Sequence, residues 1–219
     1  MERQIIVTQD GSATIYLPEM EESYHSKFGA IQEAYHVFIQ NGLALGEGPV
    51  SVLEIGFGTG LNAFITFLES VKTGRQIDYT GVEAYPVEPA EAAQLNYADA
   101  LSAGTYSDTY RLMHECKWGE STPLSTIFTL NKRRQFFNDI MDREAYDIIY
   151  FDAFGYHVQP ELWSPEIFKK MHDALKINGI LVTYACRTVI RKAMQQAGFT
   201  TEKLPGPPGK REMLRARKL

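Results

Sequence analysis

The fold is decided by one stretch of the chain, Val50-Ser51-Val52-Leu53-Glu54-Ile55-Gly56-Phe57-Gly58-Thr59-Gly60-Leu61-Asn62. An apolar run rich in β-branched residues comes first, and glycines then follow at alternate positions before a segment that can begin a helix. This order predicts a strand, a tight turn and a helix. Glycines at such a turn let backbone N–H groups approach a ligand, and the helix N-terminus favours negative charge. The stretch therefore predicts a site for a ligand with a nucleoside or carboxylate end.

The spacing of the glycines narrows the choice of nucleotide. A dinucleotide fingerprint, G-x-G-x-x-G, needs a third glycine where Leu61 stands, and the absence of a following Lys-Ser/Thr pair excludes a P-loop. The pattern E-x-G-x-G-x-G is instead typical of S-adenosylmethionine (SAM) methyltransferases of the doubly wound type. A second short strand ends in Glu83, where a carboxylate can hold the ribose hydroxyls. The predicted cofactor is SAM, with NAD or a purely structural glycine turn as alternatives. The predicted cofactor-binding residues here are Glu54, Gly56, Phe57, Gly58, Gly60, Asn62 and Glu83.

Length and composition predict one globular α/β domain. The chain has 219 residues, of which 44% are hydrophobic and 22% charged. No stretch approaches the roughly 18 apolar residues of a membrane span, and the N-terminal residues do not resemble a signal peptide. The expected location is cytoplasmic. Cys116 and Cys186 have neither a C-x-x-C spacing nor clustered histidines, so we expect free thiols and no metal.

Charge is distributed unevenly along the chain, whose net charge is −5. Residues 1–100 carry 4 Lys/Arg against 14 Asp/Glu, whereas residues 187–219 carry 9 against 2. This asymmetry predicts a basic face near the C-terminus that a nucleic acid can contact. A solvated positive rim without a partner is the alternative.

The order of apolar runs predicts two parts. Residues 1–48 form an extension with a β-hairpin around Asp10-Gly11 and a helix at 30–39, and residues 49–219 form the methyltransferase domain. Because strands and helices alternate from residue 50 onward, the fold class is α/β: a doubly wound, mostly parallel, Rossmann-like sheet, ending in an antiparallel C-terminal strand pair. The predicted strands are 77–83, 127–130, 146–152, 180–184, 199–204 and 212–216. The predicted helices are 62–72, 90–103, one around 136–141, one from Ser164 to Asn178-Gly179, and 189–197. Residues 108–125 show no clear period.

Asp152 is the predicted catalytic residue. Ligands of such sheets bind beyond the carboxyl ends of the strands, and Asp152 ends a strand there, as Glu54 and Glu83 do. Methyl transfer to an amine needs an aligned nitrogen lone pair and a proton acceptor, and a carboxylate that accepts an N–H bond aims the nitrogen and takes up the proton. The alternative is that Asp152 only caps the next turn.

Weaker candidates surround this acid. Phe154 and Trp163 can stack on an extruded base, or serve as core or lid residues. Lys210 and Arg211 follow a Gly-Pro-rich turn and can contact phosphates, or simply form an exposed hairpin end. His25 and His157 are expected to be surface or hydrogen-bonded histidines. Glu33 is expected to be solvated or capping unless the N-terminal part folds over the cofactor.

The chain resembles the methyltransferase domain of the MnmC family. The blocks that carry the resemblance occur in order along nearly the whole chain. They are Tyr24-His25-Ser26 with Glu33 and Val37-Phe38, then 53–62, Phe151-Asp152-Ala153-Phe154, Pro160-Glu161-Leu162-Trp163 and Gly209-Lys210-Arg211-Glu212-Met213. The resemblance implies SAM-dependent methylation of 5-aminomethyl-2-thiouridine to 5-methylaminomethyl-2-thiouridine at the wobble position of tRNA. By it, Asp152 lies next to the acceptor amine, Tyr24 belongs to the substrate site, and the basic C-terminal hairpin faces tRNA.

Two departures from the family pattern matter. The bifunctional relative carries a flavin-dependent oxidase domain after this one, whereas this chain ends at Leu219, so we expect a separate oxidase to supply the aminomethyl substrate. Where the family tends to place Gly-Asp near the adenine, this chain has Arg134-Gln135, and the amide of Gln135 becomes the predicted adenine contact. Two alternatives remain: a methyltransferase for a small-molecule amine, and a nucleotide-binding module without catalysis.

Overall fold

The computed structural model describes residues 2–219. Its strands are β1 (Gln4–Val7), β2 (Ala13–Leu17), β3 (Glu22–Ser23), β4 (Val50–Ile55), β5 (Ile77–Glu83), β6 (Ser121–Pro123), β7 (Phe128–Arg134), β8 (Tyr146–Phe151), β9 (Leu175–Thr183), β10 (Thr200–Pro205) and β11 (Glu212–Arg217). The α-helices are α1 (Ala30–Ala34), α2 (Leu61–Thr73), α3 (Pro89–Ala92), α4 (Tyr97–Ala100), α5 (Ser107–Glu115), α6 (Pro165–Ala174) and α7 (Thr188–Gln196). Helix α1 continues as a π-helical turn over Tyr35–Gln40. Short 3₁₀ turns lie at Pro18–Met20, Leu43–Leu45, Gly104–Tyr106, Phe137–Asp139 and Pro160–Trp163.

The main sheet has the strand order β10-β11-β9-β8-β4-β5-β7-β6. Strands β9, β8, β4, β5 and β7 are parallel, while β6 and the β11–β10 pair run antiparallel at the two edges. The chain passes from β4 outward to β5 and β7, then returns to place β8 on the other side of β4. The strand order therefore reverses between β4 and β8, and the predicted doubly wound fold is confirmed.

Both faces of the sheet are covered. Consecutive residues of β4 alternate between two apolar clusters, so that Val52 packs with α2 and the N-terminal helix, and Leu53 packs with α6 and α7. Such two-sided burial explains why β4 and β8 are nearly continuous apolar runs. Strand β5, which follows α2, ends at Glu83 as predicted.

Residues 2–48 pack onto the main domain. Strands β1, β2 and β3 form an antiparallel sheet of their own. The Asn96 side chain fastens the hairpin turn, since its Oδ1 accepts the Ala13 N–H at 2.7 Å and its Nδ2 donates to the Gly11 carbonyl at 2.9 Å. Ile15 and Phe38 share one apolar cluster with α2. The division of the chain after residue 48 stays a prediction.

Several predicted elements differ in the structure. The helix at 90–103 is broken into α3 and α4, because Asn96 between them is used to hold the hairpin. Residues 136–141 form only a 3₁₀ turn, with Phe137 and Ile140 buried. Helix α6 ends at Ala174, and Asn178 lies inside β9 with φ 65°, so Asn178-Gly179 marks a strand irregularity and does not end the helix. The unassigned stretch 108–125 contains most of α5 and all of β6.

Two features are absent from the described residues. None of the helices within residues 2–219 combines the length and the apolar character needed to cross a membrane. Within the same residues, no cluster of three or more His, Cys, Asp or Glu side chains has a geometry that would hold a metal ion. Cys116 and Cys186 are free thiols.

Candidate active site

A cavity of about 970 Å³ opens at the carboxyl ends of β4, β5 and β8. Its position is the crevice where the strand order reverses, which is where doubly wound sheets bind ligands. Its volume lies near the upper end of the roughly 300–1,000 Å³ that is typical of ligand pockets. The cavity therefore has room for a nucleoside cofactor together with part of an acceptor.

The glycine turn after β4 forms one wall of the cavity. Gly56 has φ 87°, and a Cβ at that position would lie 2.6 Å from the carbonyl oxygen of Asp152. Gly58 has φ 50°, and its Cβ would lie 3.0 Å from the ring of Tyr24. The close approach between the turn and its neighbours requires glycine at both positions. The backbone of this turn is thus exposed to a ligand without a side chain in between.

Four side chains fix the glycine turn by contacting Thr59. The hydroxyl of Tyr110 and Nε2 of His114 both bond the Thr59 carbonyl, at 2.8 and 3.0 Å. Tyr97 donates to the Thr59 hydroxyl at 3.1 Å, and Nε2 of His25 lies 3.4 Å from the same oxygen. Burial lowers the pKa of His25 and of His114 to about 4. Both rings are therefore neutral near pH 7, and the turn is fixed by neutral hydrogen bonds.

Glu83 lies at the end of β5 with its carboxylate oriented by two backbone N–H groups. Gly58 N–H donates to Oε2 at 3.1 Å, and Tyr85 N–H donates to Oε1 at 2.9 Å. The carboxylate lines the cavity beside the glycine turn. This preset orientation leaves acceptor positions of a carboxylate available to ligand hydroxyls.

Asp152 lies across the crevice from Glu83, directly after β8. The amide nitrogen of Asn62 donates to Asp152 Oδ2 at 2.8 Å and to Glu54 Oε1 at 2.9 Å. Burial, and next the charge of Glu33, raise the pKa of Asp152 to about 7, although the bond from Asn62 and the charge of Lys210 act in the opposite direction. Burial also raises the pKa of Glu54 well above its ordinary value. Asp152 is therefore poised to exchange a proton near neutral pH, which a general base requires.

A second carboxylate faces the same space. Glu33 is 7% exposed, accepts the Ser26 N–H at 3.0 Å through Oε2, and bonds the ammonium of Lys210 through Oε1. The same ammonium lies 4.2 Å from the centroid of the Tyr184 ring. The N-terminal extension and the C-terminal hairpin therefore meet over the cavity, close to Asp152.

The predicted aromatic residues lie at different depths. Phe154 lines the cavity, and its ring packs edge-on against Tyr24 with centroids 5.1 Å apart. Trp163 is 1% exposed, packs against Phe151, and donates its Nε1–H to the Phe154 carbonyl at 2.9 Å. Of the two, only Phe154 is accessible to a ligand, and Trp163 supports it from behind.

Most of the predicted site residues are brought together around this cavity. Those that line it are Tyr24, Gly56, Phe57, Gly58, Asn62, Glu83, Asp152, Phe154, Lys210 and Arg211. Glu54 and Gly60 lie beneath the turn, and Trp163 lies behind Phe154. Gln135 is not among the residues that line the cavity; its N–H donates to the Glu83 carbonyl at 3.2 Å, and its contact with adenine stays a prediction. The Phe57 side chain is buried against Gly81, so its backbone faces the cavity.

The sequence did not identify two features of the site, Tyr184 and Thr59, and left the role of Glu33 open. Tyr184 ends the predicted fifth strand, and that carboxyl-end position was the signal that could have marked it. Thr59 carried no signal, because its partners Tyr110 and His114 lie more than fifty residues away along the chain. Glu33 was expected to be solvated or capping unless the N-terminal part folds over the cofactor; that part does fold over the cavity, and Glu33 is buried there.

Comparison with known families supports a methyltransferase assignment. A family model described as S-adenosyl-L-methionine-dependent methyltransferase matches residues 127–219. The tRNA 5-methylaminomethyl-2-thiouridine biosynthesis bifunctional protein MnmC of Cupriavidus metallidurans is 27% identical, over 97% of this chain and 33% of its own length. The protein of the same name from Leptospira borgpetersenii is 28% identical, over 89% of this chain and 32% of its own length. The chain spans about a third of the length of these relatives.

Solved structures share the fold. The crystal structure of MNMC2 from Aquifex aeolicus superposes with a TM-score of 0.75 at 21% identity, covering 98% of this chain and 70% of that one. Spermidine synthase from Thermotoga maritima superposes with a TM-score of 0.56 at 14% identity, covering 100% of this chain and 72% of that one. The predicted resemblance is confirmed by these matches together with those of sequence.

Proposed function

Because the chain is a SAM-dependent methyltransferase that resembles the methyltransferase part of MnmC, we propose that it converts 5-aminomethyl-2-thiouridine to 5-methylaminomethyl-2-thiouridine at the wobble position of tRNA. The observation that carries the proposal is the carboxyl group of Asp152, which faces the cavity and has a pKa of about 7. An amine acceptor needs a group that can take a proton at neutral pH, and this carboxyl group meets that requirement.

The residues around the glycine turn fit SAM. Gly56 and Gly58 offer backbone without intervening side chains, and Glu83 has the orientation that ribose hydroxyls need. The buried Oδ1 of Asn62 has no partner within the described residues and is an acceptor for a ligand N–H. When bound, SAM would supply an electrophilic methyl group, which accepts the amine lone pair as the carbon–sulfur bond breaks and sulfur keeps the electron pair.

Asp152 has two tasks in this proposal. Its carboxylate accepts an N–H bond from the acceptor amine, which aims the nitrogen lone pair. It also takes the proton that the acceptor's ammonium group must lose before the nitrogen lone pair can attack the methyl group. Asn62 holds Oδ2 of Asp152 at 2.8 Å, so the carboxylate is oriented before the acceptor arrives.

The rim of the cavity supports a tRNA acceptor. Arg187, Lys210 and Arg211 line it from the C-terminal side, where the basic face was predicted, and Lys27 adds a further cation. Phosphate groups on both sides of an extruded wobble nucleotide would contact such a rim. Phe154 offers a ring on which the base can stack. A flavin-dependent oxidase supplies the aminomethyl group in this proposal.

The direct test uses tRNA from cells that lack this methylation. Incubation with SAM should add one methyl group to the wobble nucleoside, as detected by nucleoside mass spectrometry. Asp152→Asn should still bind SAM in calorimetry but transfer more slowly by roughly 10²- to 10⁴-fold. Asp78→Asn removes an exposed carboxyl from β5 and is the matched control that should leave the rate unchanged. A wobble nucleoside left unmethylated by the wild type would refute the proposal.

Salt dependence separates the tRNA enzyme from its rivals. Contact with several phosphates makes affinity fall steeply as ionic strength rises. A flat salt response together with turnover of a free amine would indicate a small-molecule methyltransferase. SAM binding without transfer to either acceptor would indicate a nucleotide-binding module.

A further inference from the structure

The ammonium of Lys210 occupies a defined subsite beside Asp152. The Glu33 carboxylate bonds it on one side, and the Tyr184 ring lies 4.2 Å from it on another. A carboxylate combined with an aromatic face is a favourable environment for a desolvated ammonium group. All three residues line the cavity that contains Asp152.

The two side chains of this ion pair differ in conformational freedom. Glu33 has a 9% exposed side chain and is fixed by the Ser26 N–H, which donates to its second oxygen at 3.0 Å. The Lys210 side chain is 31% exposed and stands at the end of a Gly-Pro-rich turn. A lysine side chain has several rotatable bonds and reaches solvent readily. The subsite is therefore permanent, whereas its occupant can leave.

The occupant has the same chemical group as the proposed acceptor. Both have a primary amino group on an alkyl carbon. We propose that Glu33 and Tyr184 form the binding subsite for the acceptor's ammonium group, and that Lys210 fills this subsite in the free protein until the acceptor displaces it. This inference rests on the proposed function. Glu33 and Tyr184 are then the residues that select an ammonium group over a neutral group.

Charge balance favours such an exchange. Glu33 and Asp152 are neighbouring carboxyl groups, since the charge of Glu33 contributes to the raised pKa of Asp152. Replacing one cation by another keeps this pair compensated, whereas a neutral acceptor would leave Glu33 buried without a counter-charge. The displaced Lys210 ammonium is then free to contact a phosphate of the incoming nucleotide strand. Amine binding and strand binding are thereby coupled.

The test measures binding of the free nucleoside 5-aminomethyluridine by calorimetry, in the presence of S-adenosylhomocysteine so that no transfer occurs. Lys210→Met removes the competing ammonium and should tighten binding by roughly 10- to 150-fold, the range for hydrogen bonds to a charged group. Lys210→Met should leave the affinity for the neutral analogue 5-hydroxymethyluridine unchanged. Adding Glu33→Gln to Lys210→Met should abolish the gain.

Lys203→Met is the matched control. Lys203 is on the same hairpin and pairs with Glu212 at 2.7 Å, but it does not line the cavity, so nucleoside affinity should stay at the wild-type value. If Lys210→Met fails to fold, Lys210→Gln retains a hydrogen bond to Glu33 without the charge and should show a gain in the same direction.

Two outcomes overturn the inference. A folded Lys210 variant without tighter binding would show that the lysine only joins the hairpin to the extension. An equal gain for the hydroxymethyl analogue would show that the subsite does not select an ammonium. In either case the wild type can still methylate tRNA, so failure of this inference is distinguishable from failure of the proposed function.

Discussion

Asp152→Asn should stabilise the folded protein at alkaline pH although it impairs the proposed transfer. In the folded state the pKa of Asp152 is about 7, compared with an ordinary value of 3.8, because burial disfavours the charged carboxylate. Below a pH of 3.8 the Asp152 carboxyl group is protonated in both the folded and the unfolded state, so it does not change the free energy of unfolding. Between the two values the unfolded state ionises while the folded state stays protonated, so the folded state progressively loses stability.

The size of the effect follows from this difference in pKa. About three pH units at 1.36 kcal/mol per unit give an upper bound of about 4 kcal/mol, reached above pH 7. Because the carboxyl group faces an open cavity, solvent screening reduces the expected gain to about 2 kcal/mol. Asparagine keeps an oxygen that can accept the Asn62 N–H bond, so the substitution removes the charge without removing the contact.

Urea unfolding near pH 4 and near pH 8.5 is the appropriate assay. The variant should differ little from the wild type near pH 4 and be more stable near pH 8.5, with an unchanged slope against denaturant. Asp78→Asn, an exposed carboxyl on β5, should show no such pH-dependent gain. Parallel stability curves for the wild type and Asp152→Asn across this range would refute the assignment of a raised pKa.

Three further predictions concern the cofactor side of the cavity. Glu83→Ala should weaken SAM binding by roughly 1.5–3 kcal/mol in calorimetry, because it removes a carboxylate aimed by two N–H groups, and unchanged affinity would contradict a ribose contact. Gly56→Ala should cost at least about 2 kcal/mol of unfolding free energy more than Gly74→Ala, since both glycines have positive φ but only at Gly56 would a Cβ meet backbone, 2.6 Å away. Asn62→Ala should move the pH–rate profile for transfer to higher pH, because the Asn62 bond lowers the pKa of Asp152; a profile at the wild-type position would argue against that coupling.

The central sheet was predictable because its signals are local. The β-branched run before Gly56, the acid at Glu83 and the apolar run before Asp152 each mark the end of a strand, and parallel strands bring their carboxyl ends to one edge. The three glycines add a turn conformation that other residues rarely adopt. These features alone predict the crevice at the carboxyl ends of β4 and β8 and the residues that face it.

Tertiary contacts decided the elements that were predicted incorrectly. Residues 90–103 have helical composition, but Asn96 is used for a contact with the hairpin that interrupts the helix. Asn178-Gly179 has the composition of a helix stop, yet Leu175 before it and Ile180 after it both pair with β8 in one strand. In both places a long-range hydrogen-bond requirement outweighs the local preference.

The extension formed by residues 2–48 contributes side chains to the cavity as well as packing contacts. His25 contacts the Thr59 hydroxyl from this extension, and Thr59 is the point through which the glycine turn is fixed. Glu33 comes from the same extension and faces Lys210 of the C-terminal hairpin. Residues 49–219 alone would supply Glu83 and Asp152 but neither the second carboxylate nor the His25 contact on the turn. A cavity that selects an ammonium group therefore needs both ends of the chain, and the segments around Glu33 and Lys210 can contribute to it only because folding brings them together beside Asp152.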